Sequence, residues 1–314
     1  MRYVPYDELD GIPHVVVDGS ARPDTLLTLS HWPGSPTPPA LRADLSAQIG
    51  FRYLDHPELA VPAEAVSNNH FDQDGLASVF TLVDPDGARL RRAAVVDLAR
   101  AGDFSCFEAR DSARASFAVA ALGAAVDGDP YAQLLPRVPE LIDHPERFRA
   151  LWADEDAHLA ESEAAIADGT VTVEELPDLD LAVVTVPEGW SERQVHRFAT
   201  VTATALHPMA VHNATGCFRI LTRRGRAYEL RLRYETWVQY ESRRPLPRPD
   251  LGPFAAELNA LEHGGGTWSF DGAGAISPAL HLEHAEESSI APEPLVDLVV
   301  DALCRAEPGW DPYA

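Results

Sequence analysis

Short runs of aliphatic and β-branched residues, broken by Gly, Pro and Asp, open the chain. Residues 13–17 and 25–29 are two such runs and predict strands. Leu41, Leu45 and Ile49 recur at helical spacing and predict a helix over 40–49. Residues 51–54 read as a further strand, and 63–71 as a fourth that leads into Asp72-Gln73-Asp74-Gly75. Helical spacing then resumes over 75–82. Strands alternating with helices predict an α/β sheet, whose ligands sit beyond the carboxyl ends of its strands.

From 93 to 168 the pattern is mainly helical, ending in a long acidic, Ala-rich run over 145–167 with Asp143 and Glu146 as a capping box. Gly, Pro and acidic residues over 169–180 predict a linker. Beyond it, 181–186 reads as a buried strand, Ser191 and Gln194 as the cap of a helix, and 217–221 with 228–240 as a hairpin around Arg224-Gly225. The expectation is an α/β domain with a helical segment over 1–170 and a smaller α+β domain over 171–314.

Composition narrows the function classes. A formal charge of −24 argues against coating duplex DNA, which needs clustered positive charge to release counterions. Every basic residue is Arg; with no Lys, P-loop and Schiff-base chemistry are excluded. Cys106, Cys217 and Cys304 form no CxxC pair and read as thiols of a reducing compartment. No basic-then-apolar leader opens the chain, and its longest apolar stretch, 117–126, is far short of the roughly 20 residues that span a bilayer. The expectation is a cytoplasmic protein.

His70, Asp72 and Asp74 are spaced by two, so on an extended segment all three side chains share one face. Adjacent buried carboxylates repel, and a bound cation removes the conflict. A turn with Asp caps explains Asp74-Gly75 but not His70 and Asp72. A calcium loop fails at both ends, since its first ligand would be His70 and its twelfth Thr81. Two more strand-end residues lie ahead: Asp18 after Val15-Val16-Val17, and His31 after Leu27-Thr28-Leu29-Ser30.

The segment 67–78, Ser-Asn-Asn-His-Phe-Asp-Gln-Asp-Gly-Leu-Ala-Ser, resembles the first motif of the DHH phosphoesterase superfamily, His-x-Asp-x-Asp-Gly followed by small residues. Residues 261–274, with Gly264, Gly265 and Gly266, are similar to the Gly-rich substrate loop of that superfamily's C-terminal domain. The resemblance implies a two-domain hydrolase with two manganese ions, acting on nucleotides, oligonucleotides or phosphate esters through metal-activated water. It implies His70, Asp72 and Asp74 as catalytic metal ligands and the Gly-rich loop as a substrate site. The Asp-His-His triplet is missing, and Thr267 stands where the loop usually carries a His. In a rearranged sheet Asp18 and His31 would supply the missing ligands, and Asp103, in Gly102-Asp103-Phe104, resembles a later Asp motif.

Nine Arg against three Glu over 219–248 reverse the local charge and suit an anionic ligand, with Arg231, Arg233, Arg243 and Arg244 as candidates to line a phosphate site. Strand alternation also predicts Glu229–Arg231 and Arg233–Glu235 pairs. Glu155 and His158 copy half of a di-iron motif and read as a solvated helix face. The function expected is therefore metal-dependent hydrolysis of a small phosphorylated substrate. The alternative is a non-catalytic ligand-binding or regulatory protein that keeps part of the metal site.

Overall fold

The computed structural model describes residues 1–197 and 200–314. It is a mixed α/β protein of two compact units. The first comprises Met1–Leu159, Arg193–Met209 and Gln239–Arg243; the second comprises Ala160–Glu192, Ala210–Val238 and Arg244–Ala314.

In the first unit β1 (Arg2–Tyr3), β2 (His14–Val17), β3 (Leu27–Leu29) and β4 (Ala65–Ser67) form a parallel sheet in the order β1-β4-β2-β3. Val15, Val16, Val17, Ala65 and Val66 are wholly buried, the signature of a sheet covered on both faces. Helices α1 (Ser46–Asp55), α2 (Gln73–Val83), α3 (Pro85–Leu90), α4 (Arg92–Asp103) and α5 (Arg110–Ala125) follow. Ten of the eleven residues of α2 are buried, so this helix is the centre of the unit rather than a surface stripe. Next come α6 (Pro130–Leu134), α7 (Val138–Asp143) and α8 (Arg149–Ala167).

Several sequence expectations change. Residues 51–54 are not a strand but the second half of α1; Ile49, Phe51 and Tyr53 are buried there, and their aromatic, β-favouring character is overridden by packing. The helix expected over 40–49 is a short 3-10 turn, Pro39–Leu41, and the start of α1. Asp143 is no capping residue; it closes α7 and takes the fork of Arg91 at 2.5–3.0 Å. Glu155 and His158 are buried rather than solvated, with Glu155 accepting from the His196 backbone N–H at 3.0 Å and facing His196 Nδ1 at 2.8 Å.

The second unit is a six-stranded sheet. Its strands are β5 (Thr172–Leu176), β6 (Leu181–Val186), β9 (Arg219–Arg224), β10 (Ala227–Leu232), β12 (Thr267–Phe270) and β13 (Ala279–Glu283), in the order β12-β13-β10-β9-β6-β5. The expected linker over 169–180 thus holds the edge strand β5, paired antiparallel with β6. The expected hairpin is β9–β10, with Gly225 at φ 58° in its turn; beyond Leu232 the chain leaves the sheet. Leu181, Leu221, Leu230, Leu258 and Leu295 form the core beneath α10 (Gly252–Leu261) and α11 (Pro292–Arg305).

A hairpin of β7 (Arg193–Arg197) and β8 (Thr200–Thr204) replaces the helix expected after Ser191. Among the described residues no helix is long and apolar enough to cross a membrane.

Candidate metal centre

Three loops leave the carboxyl ends of adjacent parallel strands, and each carries an acid or a His into one place. Asp18 follows β2 directly, its N–H donating to the Leu29 carbonyl at 3.0 Å. It holds a left-handed conformation, φ 46°, which Asp tolerates better than most residues and which turns its side chain off the strand axis. His31 lies two residues beyond β3, and His70 three beyond β4. Asp72 is the N-cap of α2 and accepts from the Gly75 N–H at 2.8 Å. Asp103 is the last residue of α4.

His70, Asp72 and Asp74 do not share an extended face, because α2 begins between them. The side chains separate into two groups whose donor atoms lie within 4.8 Å of one another: Asp18, His31, Asp74 and Asp103, and Asp18, His70 and Asp72. Asp18 belongs to both. Its Oδ1 is 3.5 Å from His31 Nε2 and its Oδ2 3.5 Å from His70 Nε2. His31 Nε2 also lies 3.9 Å from Asp74 Oδ2 and 3.5 Å from Asp103 Oδ2, and His70 Nε2 lies 3.0 Å from Asp72 Oδ2. Bonds of about 2.0–2.2 Å to one ion hold its donor atoms no more than about 4.4 Å apart, and these spacings fit that limit.

Protonation states follow from the partners. His31 Nδ1 faces the Asp44 carbonyl at 2.5 Å and must donate to it, so the neutral ring points the lone pair of Nε2 at three carboxylates. Burial holds the pKa of His31 down, to about 4, so the ring does not supply the compensating charge itself. Burial, then the neighbouring Asp72 and Asp74 carboxylates, push Asp18 well above the usual carboxylate range. Burial and Asp72 raise Asp74 to about 7. Burial opposes charge on His70 too, yet the Asp72 carboxylate outweighs it and raises the imidazole's pKa. Four buried carboxylates with one neutral imidazole among them, and a second imidazole at the rim, leave a deficit of positive charge that a divalent cation fits.

Two supports had no place in the motif reading. The first N–H groups of α1, from Ser46 and Ala47, donate to the two oxygens of Asp74 at 2.7 Å each, a helix N-terminus holding an anion. The Ser46 hydroxyl donates to Asp18 Oδ1 at 2.8 Å, while Asp18 Oδ2 accepts no hydrogen bond among the described residues. Tyr131 donates to the His70 carbonyl at 2.8 Å. A Cβ on Gly75 would collide with Asn68 Nδ2 and Tyr131 Oη, so the glycine lets the His70 loop close on α2.

A family profile described as a family of unknown function, DUF6687, matches residues 1–314. The chain belongs to that family. No curated protein and no solved structure gives a significant match.

The remaining candidate residues of this DUF6687 chain lie elsewhere. Gly264, Gly265 and Gly266 are in the second unit, between α10 and β12; the Gly264 N–H donates to Glu262 at 2.7 Å and is already used. The Arg231 fork is taken by Glu229 at 2.7–2.9 Å. Arg233 is 3% exposed and paired with Glu235, which makes it a prop of the second unit's interior rather than a phosphate fork. Arg244 pairs with Asp311 at 3.3 Å, and Arg243 is exposed on the 239–243 segment of the first unit.

Proposed function

We propose that the chain is a metal-dependent, phosphoesterase-like hydrolase of a small phosphorylated substrate, a divergent relative of the DHH superfamily, with manganese as its metal. One observation carries this reading: Asp18 belongs to both donor groups, presenting one oxygen to each His. A carboxylate so placed is what a pair of neighbouring cations requires, and mixed carboxylate and imidazole donors suit manganese or iron better than magnesium.

His31, Asp74 and Asp103 with Asp18 would hold one ion, and His70 and Asp72 with Asp18 the other. Paired divalent ions lower the pKa of a water and neutralise charge on a phosphoryl group. The chain's own residues fix the donors. The Asp44 carbonyl sets the His31 tautomer, α1 and Ser46 orient Asp74 and Asp18, and Tyr131 anchors the His70 loop. His70, its side chain 31% exposed against 0–2% for His31, Asp18 and Asp74, marks the open side from which substrate arrives.

The test is hydrolysis of bis(4-nitrophenyl) phosphate and of a phosphorylated dinucleotide by manganese-loaded protein. Turnover is expected, falling at least a hundredfold in Asp72→Asn. Two bound manganese ions without any hydrolysis would leave a ligand-binding protein in place of an enzyme.

A further inference from the structure

A groove of about 520 Å³ runs between α1 and α4 in the first unit, lined on one side by Gln48 and Arg52 and on the other by Arg92, Asp97 and Arg100. Both helices start or end at the carboxylate cluster. α1 begins with the two N–H groups that hold Asp74, and Arg52 lies less than two turns further on. α4 ends on Asp103; Arg100 is one turn before it and Arg92 three turns before, about 16 Å along the axis. The groove therefore starts beside the cluster and leads away from it.

Its charge runs against that of the molecule. In a chain of net charge −24, three arginines converge here. Asp97 is the buried acid of the groove, and its oxygens accept the Glu108 and Ala109 N–H groups at 2.9–3.1 Å, so it is tied to the backbone. Arg52 donates to the Arg42 carbonyl and pairs with no carboxylate among the described residues. Arg92 shares Asp55 with Arg89. Arg100 is covered by Glu108, whose side chain is 75% exposed; such a surface ion pair is weak and a doubly charged phosphate displaces it. No aromatic face is offered for a base to stack on, since Arg92 itself covers the Phe51 ring at 4.9 Å.

We infer that this groove is an anion-binding arm of the metal centre, holding phosphates of the substrate remote from the reacting one through Arg52, Arg92 and Arg100. The inference rests on the hydrolase reading above and narrows it. The substrate carries more than one phosphate group, as an oligonucleotide or an inorganic polyphosphate does, and its phosphates rather than its bases are read here.

Calorimetric binding of two probes, inorganic tripolyphosphate and a 5′-phosphorylated dinucleotide, to the full chain in EDTA tests the arm apart from the metals. At least one probe should bind, and the one that does identifies the source of the phosphates. The double variant Arg52→Ala/Arg92→Ala should bind roughly ten- to a hundredfold more weakly, the loss expected for charged hydrogen bonds. Glu108→Gln, which uncovers Arg100, should bind more tightly, a gain that misfolding does not produce. No binding of either probe by the wild type, or equal affinity in all three proteins, overturns the arm. Absence of bound manganese in elemental analysis would count against the hydrolase reading alone, because the EDTA measurement does not depend on it.

Discussion

His31 turns Nε2 toward Asp18 Oδ1 at 3.5 Å across the ends of two adjacent parallel strands, while its Nδ1 is held by the Asp44 carbonyl. A neutral imidazole fixed in that tautomer offers a lone pair, not a proton, to a carboxylate. The contact is favourable only with a cation between the two, and the first predictions follow from it.

Asp18→Asn should lower bound manganese more than either His31→Ala or His70→Ala, because Asp18 alone serves both groups. Elemental analysis after mild purification in manganese measures this. Each His variant should keep about one ion per chain, and a His70→Ala protein that retains two would separate His70 from the centre.

Ser46→Ala removes the hydroxyl that donates to Asp18 Oδ1 while leaving the α1 N–H groups on Asp74. Loss of such an outer partner typically weakens metal binding by about 10–100-fold. Manganese titration of the metal-free variant should show that loss, with the melting temperature in excess manganese close to wild type.

The metal-free protein should become less stable as pH rises from about 4 to about 7. Burial raises Asp74 to about 7 from an ordinary value near 3.8 in the unfolded chain, and Asp18 is raised as well. Across that window the folded state holds protons that the unfolded state has released, so stability falls with increasing pH. Manganese replaces those protons, and its stabilising effect should grow over the same range. Thermal melts at pH 5 and pH 7.5, with EDTA and with manganese, measure both trends.

Gly75→Ala should destabilise the fold by about 1–3 kcal/mol, as overpacking does, because the added methyl meets Asn68 and Tyr131. Urea unfolding in EDTA gives the number free of any metal contribution.

Much of this site is legible in the sequence because strand ends announce themselves. Val15-Val16-Val17-Asp18 and Leu27-Thr28-Leu29-Ser30-His31 each run apolar into a single polar group, and the parallel register then sets those groups side by side. What escapes a linear reading depends on helix phase. Asp72 and Asp74 look like neighbours on a strand face, yet the cap of α2 sends Asp72 to one group and Asp74 to the other. Ser46 is hidden because Phe51-Arg52-Tyr53-Leu54 has the composition of a strand, and burial against α2, not local preference, makes it helical. The same misreading conceals the groove, since Arg52 and Arg92 meet only when both segments are helices. The Arg-rich stretch over 219–248 drew attention by count, but Arg233 and Arg248 are interior props; Arg248 reaches the carbonyls of Ala273 and Ile276 at 2.9 Å.

The most direct measurement of the central claim is titration of the metal-free protein with manganese, read by calorimetry for stoichiometry and by electron paramagnetic resonance for coupling between ions. Two manganese ions per chain, spin-coupled, and reduced to one uncoupled ion by His70→Ala, are the predicted result. A single uncoupled ion in the wild type, or none, would contradict a paired centre built on Asp18.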